Sequence, residues 1–237
     1  MFFWIIVFNT LFFLGLFGVI YLIKYVEAKR FDSSIYKSET NVALSRIKKD
    51  VGLYGEYLTS LELEKVPDYS KILINAYIPK GKNQTTECDL IFIHETGIYV
   101  LESKNYSGWI FGKDEDFKWT QTFPNGKKQP FYNPLKQNET HVKALHELLN
   151  EYPRKVFKSV IVFSNRCKLK KLSVVNEDIV ICRREELVSR LKQYIKNQPK
   201  IFNQNEMDSI YLKVKPYCNV IDEIKEQHIQ NIKNQIS

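Results

Sequence analysis

The chain has 237 residues, of which 44% are hydrophobic and 14% aromatic; this excludes a disordered polymer and suffices for one well-packed domain. A net charge of +8 and a pI near 9.1 fit a polyanionic partner, either nucleic acid or an anionic leaflet, or simply a basic surface, and charge alone does not choose. The four cysteines, Cys88, Cys167, Cys182 and Cys218, form no CxxC pair, and the four histidines show no ligand spacing to them, so separate buried or half-buried thiols are expected rather than a zinc site.

Residues 2–23 are almost continuously apolar and carry no charged side chain. A helix crossing a hydrocarbon core of roughly 30 Å needs about 20 such residues. A cleaved signal peptide would need a basic stretch ahead of the apolar run and a small-residue cleavage site, and Val26-Glu27-Ala28 matches one poorly. The reading is therefore one transmembrane helix over 2–23 and a polar juxtamembrane linker over 24–40. Lys24, Lys29 and Arg30 follow the run directly, which by the positive-inside rule places the body on the cytoplasmic side of the cell membrane as a single-pass protein.

From residue 41 to about 63 the apolar spacing turns helical, with Asn41 as a cap; Gly52 and Gly55 predict a break or a close packing contact there. A strand is predicted over 71–78 and another over 85–94. The tight turn Glu95-Thr96-Gly97 makes the next strand, 98–105, its antiparallel hairpin partner. Short strands follow over 109–112 and 117–123. Asn133-Pro134 opens a helix running to about residue 150. Strands are expected over 156–164 and 174–182, helices over 184–195 and 205–214, and a tail or peripheral helix over 216–237. The order describes an α/β protein, a small mixed β-sheet flanked by helices, preceded by the transmembrane helix. Residues 41–150 form its core region and 151–215 complete it.

The hairpin carries the chemistry. Side chains two apart on a strand share a face, so Glu102 and Lys104 project together, and Asp89 lies on the paired strand within about 5 Å. Two carboxylates so placed repel unless a cation joins them, and hard oxygen donors suit Mg²⁺ or Mn²⁺. Neutralising either acid is accordingly expected to leave the metal-free domain no less stable. Lys104 is placed to orient a water or steady transition-state charge. The plain alternative is a cross-strand surface salt bridge, worth about 0.2–1 kcal/mol. Glu56 on the first helix adds a carboxylate or is an exposed helical glutamate. Gln137, in the first turn of the helix opened by Asn133, meets a phosphate there or is an ordinary first-turn residue. His141, one turn on, is read as solvated or packing.

Gly55-Glu56, Glu87-Cys88-Asp89, the run from Gly97 to Asn105, Gly108, Trp119 and Asn133-Pro134-Leu135-Lys136-Gln137 together resemble the nuclease-related domain family over about residues 47–149. That family is similar to the PD-(D/E)xK nucleases, whose core is restriction-endonuclease-like. The resemblance implies metal-dependent hydrolysis of DNA or RNA, with Asp89 and Glu102 as metal ligands, Lys104 as catalytic lysine, Glu56 as auxiliary acid and Gln137 as a site glutamine. Lys113, Lys118, Lys127 and Lys128, interleaved with Trp119 and other aromatics, are candidates for contacting nucleic acid, although most of those aromatics are expected to pack the sheet. Two other readings stand beside the nuclease. One is a catalytically silent, membrane-anchored binding or interaction module of the same fold. The other is a scaffold whose basic body binds lipid headgroups, which the even spread of Lys and Arg disfavours.

Overall fold

The apolar N-terminal run does not end at its first charges. In the computed structural model, which describes residues 2–81, 84–174, 176 and 178–236, helix α1 runs unbroken from Phe2 to Asp32. Its apolar side chains, among them Trp4, Phe12 and Phe17, are exposed. The helix is long and apolar enough to cross a membrane by length and composition, a test that a signal sequence also passes. Its 31 residues span about 46 Å, more than a hydrocarbon core requires.

The last turn of α1 enters the body. Phe31 is buried and meets the Tyr57 ring edge-on at 5.6 Å between centroids. Ser34 then caps helix α2 (Ile35–Glu39), whose Tyr36 is fully buried. The Ile35 N–H donates to Glu64 Oε1 at 3.0 Å. The segment expected as a polar linker is therefore packed structure, because Phe31, Ile35 and Tyr36 give it an apolar face that three serines disguise in the sequence.

The predicted helix over 41–63 is two, α3 (Leu44–Ile47) and α4 (Val51–Leu63). Asp50, not Asn41, caps the long one: its Oδ1 accepts from the Gly52 and Leu53 N–H groups at 2.8 and 3.1 Å. Gly55 marks the close contact. A Cβ on it would lie 2.7 Å from that of Asn105, so only glycine lets α4 sit on the end of the hairpin.

Strands β1 (Ser70–Pro79), β2 (Thr85–His94) and β3 (Gly97–Lys104) are antiparallel neighbours, as the tight turn required. The chain then makes β4 (Gly108–Lys113), β5 (Lys118–Thr122) and β6 (Lys128–Tyr132), followed by helix α5 (Pro134–Leu148). Asn133 caps α5, and its Nδ2 also donates to the carbonyls of Lys113, Asp114 and Asp116, fastening the β4–β5 turn to the helix start. Strands β7 (Phe157–Phe163), β8 (Cys167–Ser173) and β9 (Ile179–Arg183) precede α6 (Leu187–Lys196), α7 (Gln204–Val214) and the peripheral α8 (Asp222–Ile236).

Among the described residues nine strands form two sheets, not the single one expected: β1-β2-β3-β7-β9 and β6-β5-β4-β8. The five-stranded sheet is mixed, with β3, β7 and β9 parallel. Parallel strands need cover on both faces. Tyr99 and Leu101 face α4 and α6 through Tyr57, Leu61, Leu187 and Leu191. Ile98 and Val100 face α5 and α7 through Val142, Leu145, Met207 and Ile210. The architecture is α/β, mixed sheets flanked by helices, with one long apolar helix in front. Strands β6 and β8 escaped the sequence reading because neither alternates cleanly: β6 contains Pro130, and the lysines of β8 are exposed. Of the predicted strand over 174–182, only the part from Ile179 forms β9, and positions 175 and 177 lie outside the described residues. All four cysteines are buried and free.

Candidate active site

The β2–β3 ladder closes at Leu90–Leu101, which leaves Asp89 and Glu102 as the next residue on each of the two strands. Asp89 is half-buried, and its Oδ2 accepts the Ser103 N–H at 2.8 Å. Glu102 is only 1% exposed. Its Oε1 lies 2.7 Å from Lys104 Nζ, and Nζ donates on to Gln137 Oε1 at 2.9 Å. Gln137 is in the first turn of α5, where the Asn133 cap and Pro134 fix the helix start. Glu102 and Lys104 on β3 and Gln137, 33 residues further along the chain, thus form one bonded chain.

The other Glu102 oxygen, Oε2, is 3.0 Å from His141 Nε2, and His141 Nδ1 is 2.7 Å from Thr86 Oγ1. Both contacts are satisfied when Nε2 donates to the carboxylate and the Thr86 hydroxyl donates to Nδ1. His141 is therefore neither solvated nor mere packing. It is a buried clamp on Glu102, and its position one turn after Gln137 was the signal for it.

Glu56 approaches from α4. Its Oε2 accepts from the Tyr36 hydroxyl at 3.4 Å, so the segment after the apolar helix reaches the site. Glu87, two residues before Asp89 on β2, accepts from the Tyr77 hydroxyl at 2.6 Å. Glu87 belongs to the acidic neighbourhood although it was given no role from the sequence; its i, i+2 spacing to Asp89 was the available sign.

Electrostatics divides these acids. Burial would raise the Glu102 pKa, but the Lys104 ammonium and the His141 hydrogen bond outweigh it and hold the carboxyl below its ordinary value. Asp89 is pushed well above the carboxylate range, first by burial and then by the charges of Glu102 and Glu56, against Lys104 and the Ser103 N–H. Glu56 is pushed up to about 8 by burial and by Glu87. Lys104 is itself raised: burial opposes its charge, but Glu102 and Asp89 more than restore it.

The donor chemistry suits a hard divalent cation. Asp89 and Glu102 offer carboxylate oxygens from neighbouring strands, and burial followed by the charges of Glu102 and Glu56 makes the ionised form of Asp89 costly without a cation beside it. Among the described residues no three His, Cys, Asp or Glu side chains converge as a ready cage. Two carboxylates with the remaining positions left to water and phosphate match Mg²⁺ better than a cation that demands an all-protein shell.

The candidates for nucleic-acid contact separate. Lys113, Lys118, Lys127 and Lys128 are exposed on the four-stranded sheet and its turns. Trp119 is not available to a base: it is fully buried, lies parallel to Phe163 at 6.3 Å and donates from Nε1 to the Lys113 carbonyl. The indole fills the gap over Gly112, where an added Cβ would sit 2.3 Å from the ring. The exposed aromatics on this sheet are instead Trp109, Tyr132 and Phe117, the last two edge-to-face at 5.2 Å.

Residues 51–164 match the nuclease-related domain, a span that contains every acid of the site together with Lys104, Gln137 and His141. An uncharacterized protein of Bacillus anthracis is 30% identical over 199 residues, covering 83% of this chain and 91% of its own. The chain belongs to the nuclease-related domain family. No solved structure matches this family member. The family match begins at Val51, so Tyr36 and the α2 segment that support Glu56 lie outside it.

Proposed function

We propose that this nuclease-related domain protein is a metal-dependent nuclease that hydrolyses phosphodiester bonds of DNA or RNA, tethered by α1 to the cell membrane with its body in the cytoplasm. The observation that carries the reading is Lys104 bonded to both Glu102 and Gln137, with Asp89 on the neighbouring strand close enough for the Glu102 charge to raise its pKa. An isolated surface salt bridge would not be 98% buried on its acid side, nor clamped from behind by a histidine.

Asp89 and Glu102 would hold Mg²⁺ or Mn²⁺. When bound, that cation supplies Lewis acidity to the phosphoryl oxygen and lowers the pKa of a coordinated water. Lys104 is held by Gln137 at the rim of the acid pair, where its ammonium orients the attacking water and offsets charge on the phosphate oxygens. His141 keeps Glu102 ionised and in one rotamer. Glu56, with its pKa near 8, can take up or release a proton near neutral pH. Lys113, Lys118, Lys127 and Lys128 supply backbone contacts without sequence preference.

The test uses the full chain in detergent, because cutting at residue 41 would remove the buried Phe31 and Tyr36. Labelled DNA and RNA are incubated with and without Mg²⁺ or Mn²⁺, beside Glu102→Ala. Cation-dependent cleavage that vanishes in the variant supports the nuclease. Cleavage that survives in the variant overturns the site, and binding without any cleavage moves the assignment to a silent module. The orientation has its own check: protease added to intact cells should spare the body.

A further inference from the structure

Helix α1 sets the height of the body as well as its attachment. Its uncharged run ends at Ile23, and Glu27 lies four residues on, about 6 Å further along the axis. The headgroup layer on each side of a bilayer is roughly 5–8 Å thick. Glu27 therefore sits at headgroup depth when residues 2–23 cross the hydrocarbon. Lys48, in the turn between α3 and α4, is ion-paired to Glu27. That contact sets the α3–α4 turn beside Glu27, at the same depth. The junction cannot swing freely, because Phe31 is buried against Tyr57 and Tyr36 is enclosed just beyond it.

The turn held there is basic and open. Arg46, Lys48 and Lys49 are exposed, and so is Val51, at 63%. Lys24, Lys29, Arg30 and Lys37 are exposed on the adjoining helices. Of the nearby acids, Glu27 is paired with Lys48, Asp50 caps α4 and Glu39 is held by Lys215 and Tyr211, while Asp32 is exposed; the cations outnumber them. Lysines and arginines that look evenly spread in the sequence are thus gathered at the foot of the anchor, beside an exposed valine.

We propose that the Arg46–Val51 turn is a docking surface for anionic lipid headgroups, which seats the body on the membrane in one orientation. The proposal rests on the membrane-anchor reading of α1. Lipid, not nucleic acid, is the partner, because the turn lies beside Glu27 on a helix end packed into the body through Phe31 and Tyr57, at headgroup depth whether or not nucleic acid is present. The seating also orients the site. The turn leads straight into the first turn of α4, whose Val51 carbonyl accepts from Asn105 Nδ2 at 2.7 Å, and Asn105 directly follows Lys104. A docked body therefore presents the end of the hairpin close to the membrane plane.

A nitroxide on Ser45→Cys tests this in the full chain, since Ser45 is exposed and the four native cysteines are buried. The labelled protein is placed in nanodiscs of phosphatidylcholine alone or mixed with phosphatidylglycerol. Collision of the nitroxide with a water-soluble nickel chelate should fall several-fold in the anionic discs, and the fall should disappear in Arg46→Gln/Lys49→Gln and at high salt. Equal nickel access in both discs overturns the docking surface while leaving the anchor intact. Protein that does not stay with the neutral discs overturns the anchor, and this proposal with it. Protection by an oligonucleotide but not by anionic lipid assigns the turn to nucleic acid and refutes the lipid assignment.

Discussion

Glu102 and Glu56 reach Asp89 from opposite sides of the five-stranded sheet, and their surroundings treat charge in opposite ways. Glu102, facing α5, has Lys104 on one oxygen and His141 on the other, and stays ionised despite near-complete burial. Glu56, on α4, has a phenol and another acid for company, and its pKa rises to about 8. Asp89 lies between them and is also raised. One half of the site is a finished ion pair; in the other, burial and neighbouring acids hold the carboxyls protonated in the absence of a cation. The contrast teaches that acid count alone does not describe such a site. The position of its single lysine decides which acid is already neutralised.

That contrast is broken most severely at the ligands. Glu102→Gln should lower cleavage by about a thousandfold or more, measured as single-turnover rates on a gel. It should also destabilise the metal-free domain by about 3 kcal/mol, because Lys104 is left buried beside a neutral amide. Asp89→Asn should cost as much activity but leave thermal stability level or raised, since a neutral amide replaces a buried carboxyl that resists ionisation, and its oxygen can still accept the Ser103 N–H. The expectation from sequence that either neutralisation spares stability is thus kept for Asp89, and the Lys104 contact replaces it for Glu102. Equal melting temperatures for the two variants would erase the distinction between the halves.

Lys104→Ala should slow hydrolysis by about a hundredfold while Mn²⁺ affinity, read by calorimetry, holds or tightens, because the Glu102 oxygen it occupied is released. His141→Ala should do the reverse, weakening metal binding by about ten- to a hundredfold through loss of the group that orients Glu102.

A pH series sharpens the other half. A carboxyl whose folded pKa is raised from 4.5 to about 8 leaves the folded state holding more protons than the unfolded one. Stability should therefore fall as pH climbs through that window, in the presence of a chelator. Glu56→Gln should flatten the decline seen by thermal melting at each pH; an unchanged slope would mean that Glu56 is not the titrating group. The smallest effects belong to the outer sheet. Lys118→Gln and Lys128→Gln should each reduce the salt dependence of nucleic-acid binding by about one unit of slope without altering cleavage chemistry.

Much of this site was legible because it is local. The Glu95-Thr96-Gly97 turn fixes the hairpin, the hairpin fixes the register, and the register ends at Leu90–Leu101, with Asp89 and Glu102 next on the two strands. Asn133-Pro134 fixes the helix start and thereby Gln137. What escaped depends on contacts between distant segments. His141 reads as an ordinary helical histidine until β3 is packed beneath it. Tyr36 lies 20 residues from Glu56 in a stretch whose serines suggest a linker. Trp119, one aromatic among many, becomes core only when the second sheet closes over Gly112 and Phe163. That sheet was itself obscured, since a proline-bearing edge and a lysine-rich strand carry little periodic signal.

The most direct measurement is a calorimetric titration of Mn²⁺ into chelator-stripped full-length protein near neutral pH, repeated in buffers of different ionisation enthalpy. If the acid row is a metal site with one pre-ionised and one protonated half, binding should release a proton from the Asp89–Glu56 side. Both the heat and the proton release should be lost in Asp89→Asn. Absence of binding to the wild-type chain, or binding that is unchanged in both Asp89→Asn and Glu102→Gln, would contradict the account.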